Sequence, residues 1–461
     1  MEPVVHIQME ADACVWGFAT SVACGCGCVI GYTLHLESMN AREYYQYRYP
    51  YEKLVQMLTR NGDDLSRIEF AIEGTETYTR YVSVNSAEEL KAAVLRIPDV
   101  ESVHFGAVYH DKPVAPSKRR AGEINVPHRR ILSFDIDLTD YDWLKLKGAD
   151  GNISLEKCDA AYQVSATAVR ILRRVLEQAF GFTQLLVVYS GRRGVHVHVF
   201  DEAAMGLTDE GRAAVVSYIN GNLFKGDLRS AFGVRLVMVM HNLTNEVYRS
   251  FEMLVLGPMD LFKRNGPRVD FVNRLEVEQH EHLAGGTLLT LAEDVTDPET
   301  GAEAWELIKQ KVYSCGAKWM ADRLDMVVLA YVWPRLDTNV TRQTEHLTKV
   351  PFSAHLKSRR VSVVIDGDNV EGFDPASAPF LDDFDDEAMA AAVCRFHVPK
   401  PDEIAATRPD PDDLGGVCDL EDLARAARSD NTSTSTARGN KRPPPRKIAF
   451  QRKRSPLVPE K

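Results

Sequence analysis

An excess of positive charge is missing from this chain: 55 Lys and Arg stand against 66 Asp and Glu, a formal charge of -11. That excludes a protein that coats nucleic acid through bulk positive potential, and it leaves any such contact to a local basic patch. Cysteine is scarce as well, with eight in 461 residues and four of those in the first 28. No disulfide framework can be drawn from them, which points to a reducing compartment. No period of 20 to 50 residues recurs, so a repeat fold is set aside. The uncharged stretch from Ala13 to Leu34 has the length of a membrane span, but it is rich in Gly, Ser, Thr and Cys and is not read as one. Cys24, Cys26 and Cys28 are soft-metal ligands by type, yet no histidine or fourth ligand accompanies them at zinc-site spacing. Residues 1–38 are therefore expected to be an unstructured leader, either an extension or a misassigned start ahead of Met39.

What the chain does have is 44% hydrophobic residues, enough for a sizeable core. Apolar spacing predicts helix from Tyr44 to Leu58 with Pro50 as a bend or helix start, and short strands at Ile68 to Ile72, Tyr78 to Val84 and Val103 to Val108. A further strand is expected from Arg130 to Leu138, and a long amphipathic helix from Cys158 to Phe180, stopped by Gly181. Strands follow at Leu185 to Tyr189 and Val195 to Phe200. Between about residues 201 and 325 the pattern turns helical, as in Glu303 to Val312 and Trp319 to Val332, and strand signal returns at Val361 to Ile365. Beyond Pro375 the chain is acidic, then rich in Ser, Thr, Pro, Lys and Arg, and is expected to be disordered. Its clusters Lys441-Arg442, Arg446-Lys447 and Arg452-Lys453-Arg454 read as a nuclear import signal ahead of a nonspecific nucleic-acid arm.

Three segments carry chemistry. In Phe134-Asp135-Ile136-Asp137-Leu138 the two carboxylates alternate with apolar residues, so on a strand they share one face while Ile136 enters the core. Such a pair on a rigid element can hold divalent cations for phosphoryl transfer, although Asp-x-Asp alone also fits a solvated face. Ser190-Gly191-Arg192-Arg193-Gly194-Val195-His196 offers a tight turn, two guanidiniums and a hydroxyl, the donors of a polyphosphate cradle. The third segment brings Asp337, Lys349 and His355. Taken singly, Asp337 also reads as a turn cap and Lys349 as a solvated surface lysine.

Taken together, FDIDLTDYD (Phe134 to Asp142), YSGRRGVH (Tyr189 to His196) and PRLDTNV, HLTKVPFSAH and RVSVVID between Pro334 and Asp366 resemble, in order and spacing, the motifs of the small catalytic subunit of archaeal and eukaryotic DNA primases. The resemblance spans roughly residues 40 to 375. It implies an α+β fold, a primase-type mixed sheet core flanked by helices with an inserted helical subdomain. The expected divisions are a leader at 1–38, a first core part at 39–204, a helical insertion at 205–325, a core return segment at 326–375 and a tail at 376–461. It also implies that Asp135, Asp137 and Asp337 are catalytic metal ligands for two Mg²⁺ or Mn²⁺ ions. Arg80, Ser190, Arg192, Arg193, His196, Lys349 and His355 are implied to bind the nucleotide.

The implied activity is template-directed, de novo synthesis of short RNA primers on single-stranded DNA. The implied partners are a primase large subunit, an alpha-type replicative DNA polymerase, the template and ribonucleoside triphosphates, in the nucleus and without a membrane. A primase-polymerase using deoxynucleotides and an inert scaffold of the same fold remain as alternatives. The chain departs from the family pattern at two places. Many relatives carry a four-ligand zinc site after the acidic strand, whereas Trp143 to Ala161 offers only Cys158, so structural zinc is expected to be absent. His104 stands where relatives carry an acid near the sugar 2′-hydroxyl, and His198 where an aromatic is usual.

Overall fold

A computed structural model describes residues 20–23, 29–32, 39–220, 243–257, 260–263, 265–275, 300–314, 316, 318–385 and 387–389. The helical and strand signals of the sequence map onto two larger antiparallel sheets wrapped by helices.

 Within the segment expected to be an unstructured leader, β1 (Thr20–Ala23) pairs antiparallel with β2 (Val29–Tyr32). Val22, Val29 and Ile30 are β-branched and suit a pleated ladder, which is why these positions depart from the expectation. The cysteines between the two strands lie outside the described residues.

The first helical signal divides at Pro50 into α1 (Ala41–Tyr47) and α2 (Tyr51–Leu58). Asn40 and Glu43 close a capping box at the start of α1, each side chain accepting the other's backbone N–H at 2.9 Å. The buried Tyr44 and Tyr49 donate their hydroxyls to the carbonyls of Phe352 and Pro351, at 2.8 and 2.9 Å, and so tie the N-terminal helices to the return segment.

One sheet contains β3 (Ile68–Gly74), β4 (Tyr78–Val82), β5 (Val100–Tyr109), β6 (Pro127–Arg129) and, from far along the chain, Thr348–Lys349; its order runs from Thr348–Lys349 through β5 and β3 to β4, with β6 also on β5. The helix α3 (Ala87–Leu95), which the sequence reading did not single out, connects β4 to β5. The second sheet is built from β7 (Leu132–Asp137), β8 (Leu185–Tyr189), β9 (Gly194–Val199) and Val363–Ile365. Its order is Val363–Ile365, β8, β9, β7, and every pairing is antiparallel. The expected 158–180 helix starts earlier and is broken at Ala161, giving α4 (Leu155–Ala160), capped by Ser154, and α5 (Tyr162–Phe180). Gly181 ends α5 in the left-handed region, at φ 68°.

Beyond β9 the described chain is helical: Asp209–Asn220, Thr244–Leu256, Asn265–Leu275, Gly301–Ser314 and Lys318–Val332. Phe251, Phe262, Phe271, Trp305 and Tyr331 give these helices their own aromatic core; the Phe251 and Trp305 ring centroids are 5.0 Å apart and those of Phe262 and Phe271 5.1 Å apart. Among the described residues no helix is long and apolar enough to cross a membrane.

The packed core also runs past the boundary expected at residue 375. Leu381 and Phe384 are buried, the Phe384 ring lies 5.7 Å from Tyr44, Leu381 N–H donates to the Arg359 carbonyl at 2.8 Å, and Asp382 pairs with Arg359 at 2.9 Å. The apolar residues that anchor this stretch are interleaved with Asp382, Asp383, Asp385 and Asp386, so its acidic composition conceals them. The basic clusters of the tail lie outside the described residues. Phe384→Ala is expected to lower stability by about 3–5 kcal/mol, read by chemical denaturation; an unchanged midpoint would place residue 384 outside the folding unit.

Candidate functional site

The acidic strand β7 is built by alternation. Phe134 and Ile136 are fully buried, while the Asp135 and Asp137 side chains on the opposite face keep 31% and 25% exposure. Across the ladder Asp135 faces His196 and Asp137 faces Gly194, so the strand register alone sets the acids beside the turn that joins β8 to β9. That turn is closed by Ser190, whose N–H donates to the Gly194 carbonyl and whose Oγ accepts from the Gly194 N–H, both at 2.9 Å. Gly191 sits at φ +90°, with space for a Cβ only 3.3 Å from His355 and 3.4 Å from the Arg360 carbonyl, so a side chain there is both strained and crowded. The turn delivers Arg193 Nε to Asp137 Oδ2 at 2.8 Å, and His196 Nε2 lies 3.6 Å from Asp135 Oδ1.

The third acid arrives through the backbone. Leu336 bridges Ile136 on the free edge of β7, and Asp337 N–H donates to the Asp135 carbonyl at 3.0 Å. Asp337 also caps the helix Thr338–Arg342, accepting from Asn339 N–H at 3.0 Å, so the turn-cap role and the site position coexist. The far end of that helix is held by Arg130, a fully buried guanidinium that donates to the carbonyls of Val340 and Gln343, at 2.9 and 3.3 Å, and to Thr348 Oγ1 at 2.6 Å. Burial and the neighbouring Arg212 push the Arg130 pKa down to about 9. Its position next to β7, ahead of two apolar residues, gave no sign of this role.

Burial, with repulsion from Asp137 and Asp337, raises the Asp135 carboxyl above its usual range, against the opposing pull of His196 and Arg193. Asp140, which the sequence reading passed over although it lies in the quoted FDIDLTDYD run, is raised to about 6 by partial burial and by the same three acids. Among the described residues no three His, Cys, Asp or Glu side chains form a ready-made metal cluster, since Asp137 is turned toward Arg193 and Thr139. The donor set nonetheless fits divalent cations: hard carboxylate oxygens from two elements repel one another, and Asp135 makes no hydrogen bond that would satisfy its charge. Zinc does not fit the stretch from Trp143 to Ala161. Its single thiol, Cys158, is buried and pushed up to about 11, and Trp143, Leu144 and Leu146 pack there instead.

Opposite the acids lies a cleft of about 130 Å³ that also contains Ser190, Arg193, His196, Lys349 and His355. Lys349 is placed by pairing with His104 on β5. Burial, with Lys349 and Arg192 nearby, lowers His355 to about 4, so its imidazole is neutral at physiological pH. His355 Nδ1 lies 3.3 Å from Ser358 N and 2.9 Å from Ser358 Oγ, which hold the ring in place. Ser362 was also missed: its hydroxyl is buried, borders this cleft and has no partner within the described protein.

Two residues assigned to the nucleotide do not line the cleft. Arg192 turns away to donate to the Ile153 carbonyl at 2.5 Å. Arg80 lies on the other sheet, where its Nε and Nη2 bind the two oxygens of Glu69 at 2.9 and 3.2 Å; Glu69 is fully buried and takes a further bond from Tyr109 Oη at 2.8 Å. A buried carboxylate without such partners would be strongly destabilising, which explains the diversion of Arg80. His198 is buried with Nδ1 2.9 Å from Ser133 Oγ, and His104 sits 3.8 Å from Glu73.

The fold and site thus define an α+β protein with an acidic strand facing a cationic cleft, an arrangement suited to a polyphosphate. The sequence profile of the DNA primase small subunit family matches residues 134–366, and the chain belongs to that family. It is 29% identical over 363 residues to the DNA primase small subunit of Schizosaccharomyces pombe, an alignment covering 76% of this chain and 77% of the relative. The Saccharomyces cerevisiae small subunit is 27% identical, with 76% and 85% covered, and the archaeal subunit of Archaeoglobus fulgidus is 27% identical, with 40% and 52% covered.

Because the folded state raises the Asp135 and Asp140 pKa values, these groups favour folding below their unfolded values and lose that contribution as pH rises through the folded ones. Without cations, Asp135→Asn is accordingly expected to melt at or above the parent temperature at pH 7.5, and to lose any rise in melting temperature that Mn²⁺ gives the parent. A lower melting temperature together with an unchanged Mn²⁺ effect would contradict this reading of the acids. Arg130→Ala is expected to cost about 3 kcal/mol or more through the orphaned carbonyls and to depress activity, with partial recovery on adding millimolar guanidinium; full activity without rescue would remove Arg130 from the site's support.

Proposed function

We propose that this chain is the catalytic subunit of a DNA primase, making short RNA primers de novo on single-stranded DNA by two-metal nucleotidyl transfer. The observation that carries the reading is the bond from Asp337 N–H to the Asp135 carbonyl, which joins acids about 200 residues apart along one edge; of the three acids, Asp135 and Asp137 line the cleft with Arg193, Lys349 and His355. Mg²⁺ or Mn²⁺ held by Asp135, Asp137 and Asp337 would supply activation of a 3′-hydroxyl and stabilisation of the leaving oxygen.

The protein's own groups do the rest. Arg193 and Lys349 neutralise the triphosphate, His355 donates through Nε2, and Ser362 offers a hydroxyl to the same ligand. The 3′-oxygen forms a bond to the α-phosphorus as the bond to the bridging oxygen breaks, and pyrophosphate leaves toward this cationic wall. No covalent enzyme intermediate is required, so positioning and charge neutralisation supply the rate. Arg193 leaves Asp137 for the polyphosphate as cations take its place. The name small subunit, borne by the yeast, fly and worm relatives, supports assembly with a primase large subunit. Handover to an alpha-type replicative DNA polymerase, in the nucleus, completes the proposed setting.

Dinucleotide formation from labelled ATP on a single-stranded template tests the proposal. Asp137→Ala and Arg193→Ala are each expected to reduce kcat by about 10²-fold or more. Equal primer yield from Asp135→Ala would identify an inert scaffold, and deoxynucleotide extension without ribonucleotide initiation would identify a primase-polymerase.

A further inference from the structure

Tyr81, at the outer end of β4, holds φ +60°, a left-handed conformation costly for a bulky residue and one that marks functional segments when the surroundings enforce it. Two guanidiniums lie over its ring, with Arg80 Cζ at 5.0 Å and Arg119 Cζ at 5.2 Å from the centroid. The two cations differ in what neutralises them. Arg80 is bound to Glu69, whereas Arg119 is steadied only through Nε, which donates to the Val114 carbonyl at 3.0 Å, and it has no carboxylate partner among the described residues. Lys118 and Arg120 beside it are exposed and make no ion pair among the described residues. A protein of charge -11 therefore presents here a local, pre-ordered cationic edge.

This edge is contiguous with the acidic site. Arg80 Nη2 donates to the Glu345 carbonyl at 3.1 Å, and the next residue, His346, feels the charges of both Arg80 and Asp337. None of Tyr81, Arg119, Lys118 and Arg120 lines the cleft that holds Arg193, Lys349 and His355, so a nucleotide bound there has no need of them. What needs a cationic track leading away from a polymerising centre is a polymer of phosphates.

We propose that the Arg80-Tyr81-Arg119 cluster, with Lys118 and Arg120, is a phosphate clamp for the single-stranded template that leads to the acidic site. The clamp rests on the primase reading for the identity of its strand. The Tyr81 ring, in contact with both guanidiniums, steadies that of Arg119 so that it meets a phosphate with little loss of side-chain freedom.

The test measures binding of the full chain to a fluorescent oligo(dT) by anisotropy across a salt series, alongside primer-synthesis kinetics. Arg119→Gln is expected to lower the slope of log K against log salt by about 0.7, and the Lys118→Gln, Arg119→Gln, Arg120→Gln triple variant by about 2. The triple variant's KM for template should rise about tenfold while its KM for ATP and its kcat at saturating template hold. Tyr81→Gly, which suits the positive φ and should fold, is expected to weaken oligo(dT) binding through loss of the ring that steadies Arg119. Unchanged slopes and template KM, a rise in the KM for ATP instead, or a defect confined to capture of the large subunit would each overturn the clamp. A parent that binds oligo(dT) with the expected charge dependence but makes no primers would overturn the primase reading and leave the clamp standing.

Discussion

The structure depends on the closing of one strand edge. β7 ends its sheet with an unpaired side, and Leu336 and Asp337 occupy it through the bridge to Ile136 and the bond from Asp337 N–H to the Asp135 carbonyl. Because Ile136 and Leu336 are both buried, apolar packing fixes the register. A slip of one residue would exchange the acids for core side chains. Lys349 and His355 follow Asp337 within 18 residues and inherit that register.

A second constraint is electrostatic tension. Burial, with repulsion among the neighbouring acids, raises Asp135 and Asp140, while Arg193 holds Asp137 and His196 stands near Asp135. The cationic groups sit on two elements, the β8–β9 turn and Thr348–Lys349, so neither relieves the acids completely. The consequence is a site that gains from added positive charge on one side and from added negative charge on the other, which is the pairing of cations with a polyphosphate.

The parts of this arrangement legible in the sequence were those with local periodicity or local turn chemistry. Alternation exposed β7 and its acids, the Gly-Arg-Arg-Gly run exposed the turn, and the apolar stripe from Val164 to Ala179 exposed α5. What stayed hidden depends on distant partners. The two-residue strands at Thr348–Lys349, Ala354–His355 and Arg360–Val361 are too short to have a period and exist only because β5 or each other supply the ladder. Arg80, implied by the resemblance, and Arg192, one of the turn's two guanidiniums, were expected at the phosphates, but the partners that claim them, Glu69 and the Ile153 carbonyl, are chosen by the tertiary fold. Leu381 and Phe384 were masked by acidic neighbours, Arg130 carries no motif, and Ser362 reads as an ordinary strand serine within RVSVVID.

The most direct measurement is anomalous diffraction from crystals soaked with Mn²⁺ and a nonhydrolysable ribonucleoside triphosphate. The expected result is manganese peaks bounded by the carboxylates of Asp135, Asp137 and Asp337, with the polyphosphate against Arg193, Lys349 and His355. Manganese that avoids Asp337, or a polyphosphate bound away from the β8–β9 turn, would contradict the account.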